Sequence, residues 1–265
     1  MNADILQPLA NADRTRFASV RFVLTDMDET LTHQGRLAAA TYCALERLQA
    51  AGIKVIPVTA APAGWCDQMA RMWPVDGVIG ENGGLFFQRR PDGHGVDRRF
   101  WHSDAWRTEV DAGLKRISDA VVEACPNAEY AEDQPFRLTS IAFRRDGDAA
   151  GERAILEAMR SGGASTTINN LWILGWLGEY DKLSMAMKVL LDAYGLDINS
   201  DRDAVLYVGD STNDAPMFGF FGHTIGVSTV VDYLHEIPVP PRFITKGPGG
   251  AGFVEVADML TDIRG

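Results

Sequence analysis

An α/β fold is predicted, with a doubly wound parallel sheet interrupted by an inserted α+β segment, and three observations carry that prediction. Short apolar runs alternate with helix-length amphipathic runs in both the first and the last third of the chain, the rhythm of strands joined by crossover helices. Several apolar runs stop at a carboxylate or a threonine, as strands do where a sheet presents its ligand-binding ends. Between the two thirds, residues from about 85 to 180 abandon the rhythm for long helices and strand-rich stretches.

VRFVLT (20–25) is short, apolar and β-branched, which suits a buried strand. GRLAAATYCALERLQAAG follows, with Leu37, Ala40, Ala44, Leu45 and Leu48 at helical spacing and Gly52 as the stop. IKVIPV (53–58) is a second strand, a helix opens near Pro62 and runs to about Met72, and GVIG (77–80) leads into the turn ENGG. The middle holds a polar loop (RRPDGHGVDRR), a helix over 103–124, a strand in FRLTSIAFRR, a helix over 150–161 and a strand-rich end, STTINNLWILGWLG. The core pattern resumes with a helix in DKLSMAMKVLLDAYG, a strand at 204–209 (AVLYVG) and a short helix in NDAPMFGFF. HTIGV, a helix near 231–236, RFIT and a last helix from about 251 complete it. The predicted division is a core of residues 1–85 and 181–265 with an insertion of 86–180.

At 265 residues the chain can bury a large core. Asp and Glu outnumber Lys and Arg by 36 to 25, a net charge of −11. Nucleic acid and anionic membrane surfaces, both of which need basic protein surface, are therefore not expected partners. An anionic substrate stays open, because a bound cation can invert the local charge. Cys43, Cys66 and Cys125 lack metal-ligand or CxxC spacing, which fits thiols in a reducing compartment. The opening MNADILQPLANADRTR has no basic stretch followed by an apolar one. No apolar run reaches the roughly 18 residues of a membrane span. The expectation is a cytoplasmic protein.

The most informative stretch is FVLTDMDETLT (22–32). A core strand that ends in Asp26, Asp28 and Glu29 crowds like charges, which costs stability unless a cation joins them. Side chains alternate along extended chain, so Asp26 and Asp28 share a direction and Met27 turns aside. IKVIPV ends at Thr59 and AVLYVG at Asp210, in GDSTND. If these strands are neighbours, Asp26, Asp28, Thr59, Asp210 and Asp214 converge on one rim, with Lys182 as the cation among them. An oxygen-only nest of this kind suits Mg²⁺.

DMDET, Thr59, Lys182 and GDSTND resemble, in order, the four motifs of the haloacid dehalogenase-like superfamily of phosphatases. The resemblance extends over essentially the whole chain, and the insertion between Thr59 and Lys182 is similar to the large α/β cap of one subgroup. That subgroup includes Cof-like, sucrose-phosphate and mannosyl-3-phosphoglycerate phosphatases. The resemblance implies a Rossmann-like core and an aspartyl-phosphate on Asp26, with Asp28 as general acid and then base. It implies Mg²⁺ held by the Asp26 carboxylate, the Asp28 backbone carbonyl and Asp210, with Asp214 a ligand or an orienter. Thr59 and Lys182 would grip the phosphoryl oxygens of a small phosphorylated metabolite, a sugar phosphate or similar ester. Asn82 in ENGG, Asn213 in GDSTND, and Arg137, Asn169 and Asn170 in the cap are further substrate-binding candidates.

The pattern is broken in two places. Many relatives follow the threonine with Gly-Arg where this chain has Ala60-Ala61, and Glu29 stands where glycine is frequent. GPGGAG (247–252) lacks the GxxxxGK[ST] phosphate loop and is expected to be a loop before the last helix. A phosphomutase would share the aspartyl-phosphate. A receiver-type signalling module or a sugar-phosphate-binding regulator would keep the acids without turnover, but a base at Asp28 beside the phosphorylated residue opposes the long-lived acyl phosphate that a receiver needs.

Overall fold

A computed structural model of the chain describes residues 6–169 and 171–264; Asn170, a candidate above, lies outside the described residues. In chain order the first elements are β1 (Gln7–Pro8), β2 (Phe22–Thr25), β3 (Thr32–His33), β4 (Arg36–Leu37), α1 (Ala39–Ala50) and β5 (Lys54–Pro57). Next come α2 (Ala63–Met72), β6 (Val78–Gly80), β7 (Leu85–Arg89) and β8 (Val96–Phe100). The insertion holds α3 (Asp104–Ala124), β9 (Ser140–Arg144), α4 (Ala149–Ser161), β10 (Ser165–Ile168) and β11 (Trp172–Trp176). The chain returns through α5 (Lys182–Tyr194), β12 (Val205–Gly209), α6 (Ala215–Phe220), β13 (His223–Gly226), β14 (Phe243–Ile244) and α7 (Gly249–Arg264).

Six strands form one sheet in the order β1-β14-β13-β12-β2-β5, and every pairing is parallel. Alternation along the strands feeds two cores. Val23, Val55 and Leu206 point to one face, against Leu45 and Leu48 of α1 and Val256 and Leu260 of α7. Phe22, Leu24, Ile56 and Tyr207 point to the other, against Met185, Val189 and Leu190 of α5 and Met217 of α6. Helices cover both faces, so the predicted doubly wound α/β architecture is present, and burial of these side chains at ~25 cal/mol per Å² is what holds the layers together. The insertion builds its own antiparallel sheet, β10-β11-β9, with Val110, Leu114 and Ile117 of α3 and Ile155 and Met159 of α4 against it. Among the described residues no helix is long and apolar enough to cross a membrane.

The structure departs from the sequence-based expectation in four places. The polar stretch 89–99 is not a plain loop: it contains the turn of an antiparallel hairpin, β7 with β8. Phe87 and Val96 bury in the core while their cross-strand partners Arg98 and Arg89 are exposed, so charged residues within both strands hide them in the sequence. The hairpin pairs with β6, which touches the end of β5 through the parallel bridge Val58–Ile79. β7 and β8 thus continue from β6, and the next helix starts at Asp104. The first helix starts at Ala39 rather than 36, because Gln34 and Gly35, both at positive φ (51° and 72°), turn the small β3–β4 hairpin ahead of it. The helix expected near 231–236 is a 3₁₀ turn over Ser228–Tyr233.

The fourth departure concerns GPGGAG, whose last four residues belong to α7. A Cβ on Gly250 would lie 2.2 Å from Thr41 Oγ1, and one on Gly252 would lie 2.4 Å from Gly247 O. These glycines admit close helix packing beneath the catalytic end of the sheet.

Candidate active site

Parallel register brings the strand ends together. Thr25 pairs with Val208 on one side and Pro57 on the other, so the residues that follow each strand lie on one rim. Asp26 N–H donates to Val208 O at 2.9 Å, and Val58 N–H donates to Thr25 O at 2.7 Å. Beyond Asp26 the chain turns back sharply: the amides of Leu31 and Thr32 both donate to Met27 O at 2.9 Å, with Glu29 at φ 55°. That turn aims Asp28 outward while Asp26 stays buried.

Lys182 opens α5, whose start is fixed by a reciprocal cap: the Asp181 side chain accepts from Ser184 N–H and Asp181 N–H donates to Ser184 Oγ. The lysine is only 3% exposed and its Nζ lies 3.0 Å from Asp26 Oδ1 and 2.8 Å from Asp214 Oδ1. Asp214 is fully buried and saturated. Its Oδ1 also accepts from the Tyr207 hydroxyl, and its Oδ2 accepts from the amides of Asp210 at 2.9 Å and Ser211 at 3.2 Å. Four donors on two oxygens make it a clamp on Lys182 and on the loop that carries Asp210.

One oxygen each of Asp26, Asp210 and Asp214 lies within 4.8 Å of the others. Asp26 Oδ1 accepts from Met27 N–H at 2.8 Å and Asp210 Oδ1 from Thr30 Oγ1 at 2.9 Å. Their second oxygens accept no hydrogen bond from any described residue. Three buried acids against one lysine leave an uncompensated negative charge, and the open donors are hard oxygens. This set fits Mg²⁺.

Burial raises the Asp26 carboxyl to about 7; Lys182 opposes the rise, and Asp214 and Asp28 add to it. Asp210 is pushed well above the ordinary carboxylate range by burial first, then by Asp26 and Asp214. Asp28 is open to the solvent of the cavity but ringed by protein. That enclosure raises its carboxyl, with Lys182 opposing and Glu29 and Asp133 reinforcing. Burial alone would favour neutral Lys182, but Asp214 and Asp26 outweigh it and hold the ammonium above its usual value.

The insertion overhangs this cluster. Between them lies a cavity of about 910 Å³, floored by Asp26, Asp28 and Asp210 and roofed by Arg145, Ile168 and Asn169. Asp26, Asp28 and Asp210 therefore open on a space the size of a small metabolite.

No protein-family model matches the chain. A phosphoglycolate phosphatase of Thermoplasma volcanium is 29% identical over 203 residues, covering 75% of this chain and 81% of that protein. Protein 0175 of Thermoplasma acidophilum, a crystal structure, superposes with a TM-score of 0.71 at 18% identity, over 92% of this chain and 99% of the other. The sucrose-phosphatase of Synechocystis, solved with sucrose and phosphate, gives 0.64 at 12% identity, over 90% and 97%. A haloacid dehalogenase-like hydrolase of Bacteroides thetaiotaomicron gives 0.63 at 13%, over 90% and 98%. The chain shares the fold of haloacid dehalogenase-like hydrolases.

The structure brings some of the sequence-predicted residues to the cavity and leaves others out. Asp26, Asp28, Asp210, Asn169 and Asn213 line it. Lys182 and Asp214 stand behind Asp26. Thr59 is sealed beneath Ala60, its hydroxyl accepting from Ala61 N–H at 3.0 Å, and Ala60 holds the cavity wall. Asn82 is buried against Thr59, donating its N–H to Thr59 O at 3.0 Å, and is not on the wall; its Nδ2 has no partner among the described residues. Arg137 is not a cavity residue. Its guanidinium is buried, pairs with both oxygens of Asp133 (3.0 and 2.8 Å), and donates to Ala60 O at 3.1 Å. It precedes β9 and folds back onto the core, where it joins the two parts of the molecule.

Among the wall residues that the sequence does not mark are Arg145, Asp232 and Tyr233. Arg145 ends the strand whose polar residues were searched, one position past β9; the other two lie in a 3₁₀ turn without a motif.

The chain connects to its cap through another buried acid, Glu81. Its carboxylate is fully buried and accepts five hydrogen bonds, from the amides of Ala63, Leu138 and Thr139 and the hydroxyls of Thr139 and Ser140, at 2.7–2.9 Å. Glu81 and Asn82 adopt positive φ (48° and 57°), an unusual conformation that the surrounding contacts hold in place.

Two predictions arise directly from this geometry. Asp214→Asn replaces two acceptor oxygens by one, so either Lys182 or the Asp210 and Ser211 amides face a donor. The expected loss is about 2–4 kcal/mol of unfolding free energy, read by urea denaturation. An Asp214→Asn protein as stable as wild type would contradict the clamp.

The second concerns pH. Asp26 binds its proton more tightly folded, at about 7, than its ordinary value of 3.8. Its contribution is therefore full below 3.8 and lost as pH rises through about 7. In chelator-treated protein, the melting temperature of wild type relative to Asp26→Asn should fall across that window, and Mg²⁺ should restore it most above about 7. A wild-type-minus-variant difference that grows with pH would contradict the assignment.

Proposed function

We propose that the chain is a Mg²⁺-dependent phosphatase that hydrolyses a small phosphorylated metabolite, a sugar phosphate or related monoester, through a phosphorylated Asp26. The observation that carries this reading is the pairing of Asp26, held 3.0 Å from Lys182, with Asp28 on the floor of the same cavity. The likeness to named phosphatases supports it. The cap we assign runs from about Trp101 to Tyr180, between the end of β8 and the start of α5.

Asp26 attacks phosphorus, the bond to the ester oxygen breaks, and the Asp28 carboxyl gives that oxygen its proton. Enclosure raises the Asp28 carboxyl, which favours the protonated form that the first step needs. Water then attacks the same phosphorus, Asp28 takes its proton, and the bond to Asp26 breaks, releasing phosphate and restoring both residues. Lys182 offsets the charge of the phosphoryl group beside Asp26, and the Asp214 clamp keeps it aimed there; Thr59, sealed beneath Ala60, supports the wall rather than touching the phosphoryl oxygens. Asp26, Asp210 and the Asp28 carbonyl would hold Mg²⁺, which supplies charge stabilisation to the phosphoryl group when bound. The cap keeps bulk water from the intermediate. A panel of phosphate monoesters, assayed for free phosphate with Mg²⁺ and after chelation, tests the reading. Metal-dependent release of one phosphate per alcohol is expected. Transfer of the phosphoryl group back to the sugar without free phosphate would mark a mutase and reject hydrolysis.

A further inference from the structure

Arg145 is the cation that the cap places on the cavity wall, and its surroundings give its charge away. Nε and Nη2 donate to the two Glu152 oxygens at 2.9 and 3.2 Å, and Nη1 donates to Asn169 O at 3.0 Å. Glu152 comes from α4 and is itself buried. Asn169 lies just past β10, so the guanidinium is anchored from two sides. A guanidinium has five N–H donors; three are engaged, and the other two have no partner among the described residues. Glu152 cancels the charge but not the remaining donors. The wall also carries the acids Glu29, Asp232 and Glu236.

Resting on the phosphatase reading above, we propose that Arg145 is a substrate-contacting specificity residue and Glu152 its positioning residue. Arg145 donates hydrogen bonds to oxygens on the alcohol part of the ester. Glu152 masks its charge, so that neutral hydroxyls are accepted and a second anion is refused. The pair thus sets discrimination at the end of the substrate remote from phosphorus, where a fixed donor fork gives direction and a neutralised one gives no attraction for carboxylate.

The test uses the full-length protein with Mg²⁺, hydrolysis of p-nitrophenyl phosphate as the common reaction, and two matched competitors. Glycerol phosphate and phosphoglycerate differ by a hydroxymethyl group against a carboxylate. Wild type should be inhibited at lower concentration by glycerol phosphate. Arg145→Gln should raise the inhibition constant of glycerol phosphate about tenfold. Glu152→Gln, which uncovers the arginine's charge and is nearly isosteric, should shift the ratio of the two constants about tenfold toward phosphoglycerate.

Tighter binding of phosphoglycerate to wild type, or an unmoved ratio in Glu152→Gln, overturns the proposal. A merely structural ion pair would lower stability and leave the ratio alone. If p-nitrophenyl phosphate is hydrolysed in an Asp26-dependent way and only the ratio fails to move, the phosphatase reading stands and this inference falls. If no ester is turned over, both fall.

Discussion

Asp26→Asn is expected to lower phosphate release from every ester by at least about 10⁴-fold, because the amide cannot form the acyl phosphate. The substitution preserves shape, and its carbonyl oxygen can still accept from Met27 N–H as Asp26 Oδ1 does. Lys182 keeps its bond to Asp214. The variant therefore folds, and without metal it should melt at or above the wild-type temperature above pH ~7, since one of three crowded buried acids has become neutral. Loss of activity combined with retained or higher metal-free stability is the diagnostic pair. Turnover within about a hundredfold of wild type would show that phosphorus is attacked by some other group.

Glu81→Ala should have the largest effect on stability, at least about 4 kcal/mol by denaturant titration. Alanine leaves the amides of Ala63, Leu138 and Thr139 without the acceptor they now share, in a region with little access for water. It also frees the cap segment 138–140 from the start of α2. Glu81→Gln keeps one acceptor oxygen and should fall between. A Glu81→Ala protein within about 1 kcal/mol of wild type would mean that the cap is held by its other contacts, chiefly Arg137 on Ala60 O.

The core was legible because its signals are local. Strands β2, β5 and β12 each announce themselves by apolar residues and end in a polar residue of the site, and Asp26, Asp210 and Lys182 meet as the parallel register requires. The role of Asp214 was half legible. Its position in GDSTND marks it, but only coordinates show that four donors occupy its oxygens. The cap was less legible, and Arg137 and Arg145 show why. Both are arginines flanking one strand, and the sequence holds nothing that says which end of β9 meets the core and which meets the cavity. Facing is decided by the packing of α4 and of the β10–β11 turn, through Glu152 and Asn169. The β7–β8 hairpin escaped for a similar reason, since its exposed arginines pair with Asp67 and Asp97 on the surface and break the apolar alternation of the strands.

The two crossings between cap and core lie side by side. The rings of Trp101 and Tyr180 are 5.6 Å apart, and the His102 ring nitrogen Nε2 lies 2.8 Å from Leu177 O. An excursion whose departure and return points are neighbours leaves the path of the remaining chain nearly intact. The roof over the cavity can then be lengthened or remodelled with little disturbance of the acids and lysine beneath it, and a segment transplanted at these two junctions should carry its own cavity wall along with it.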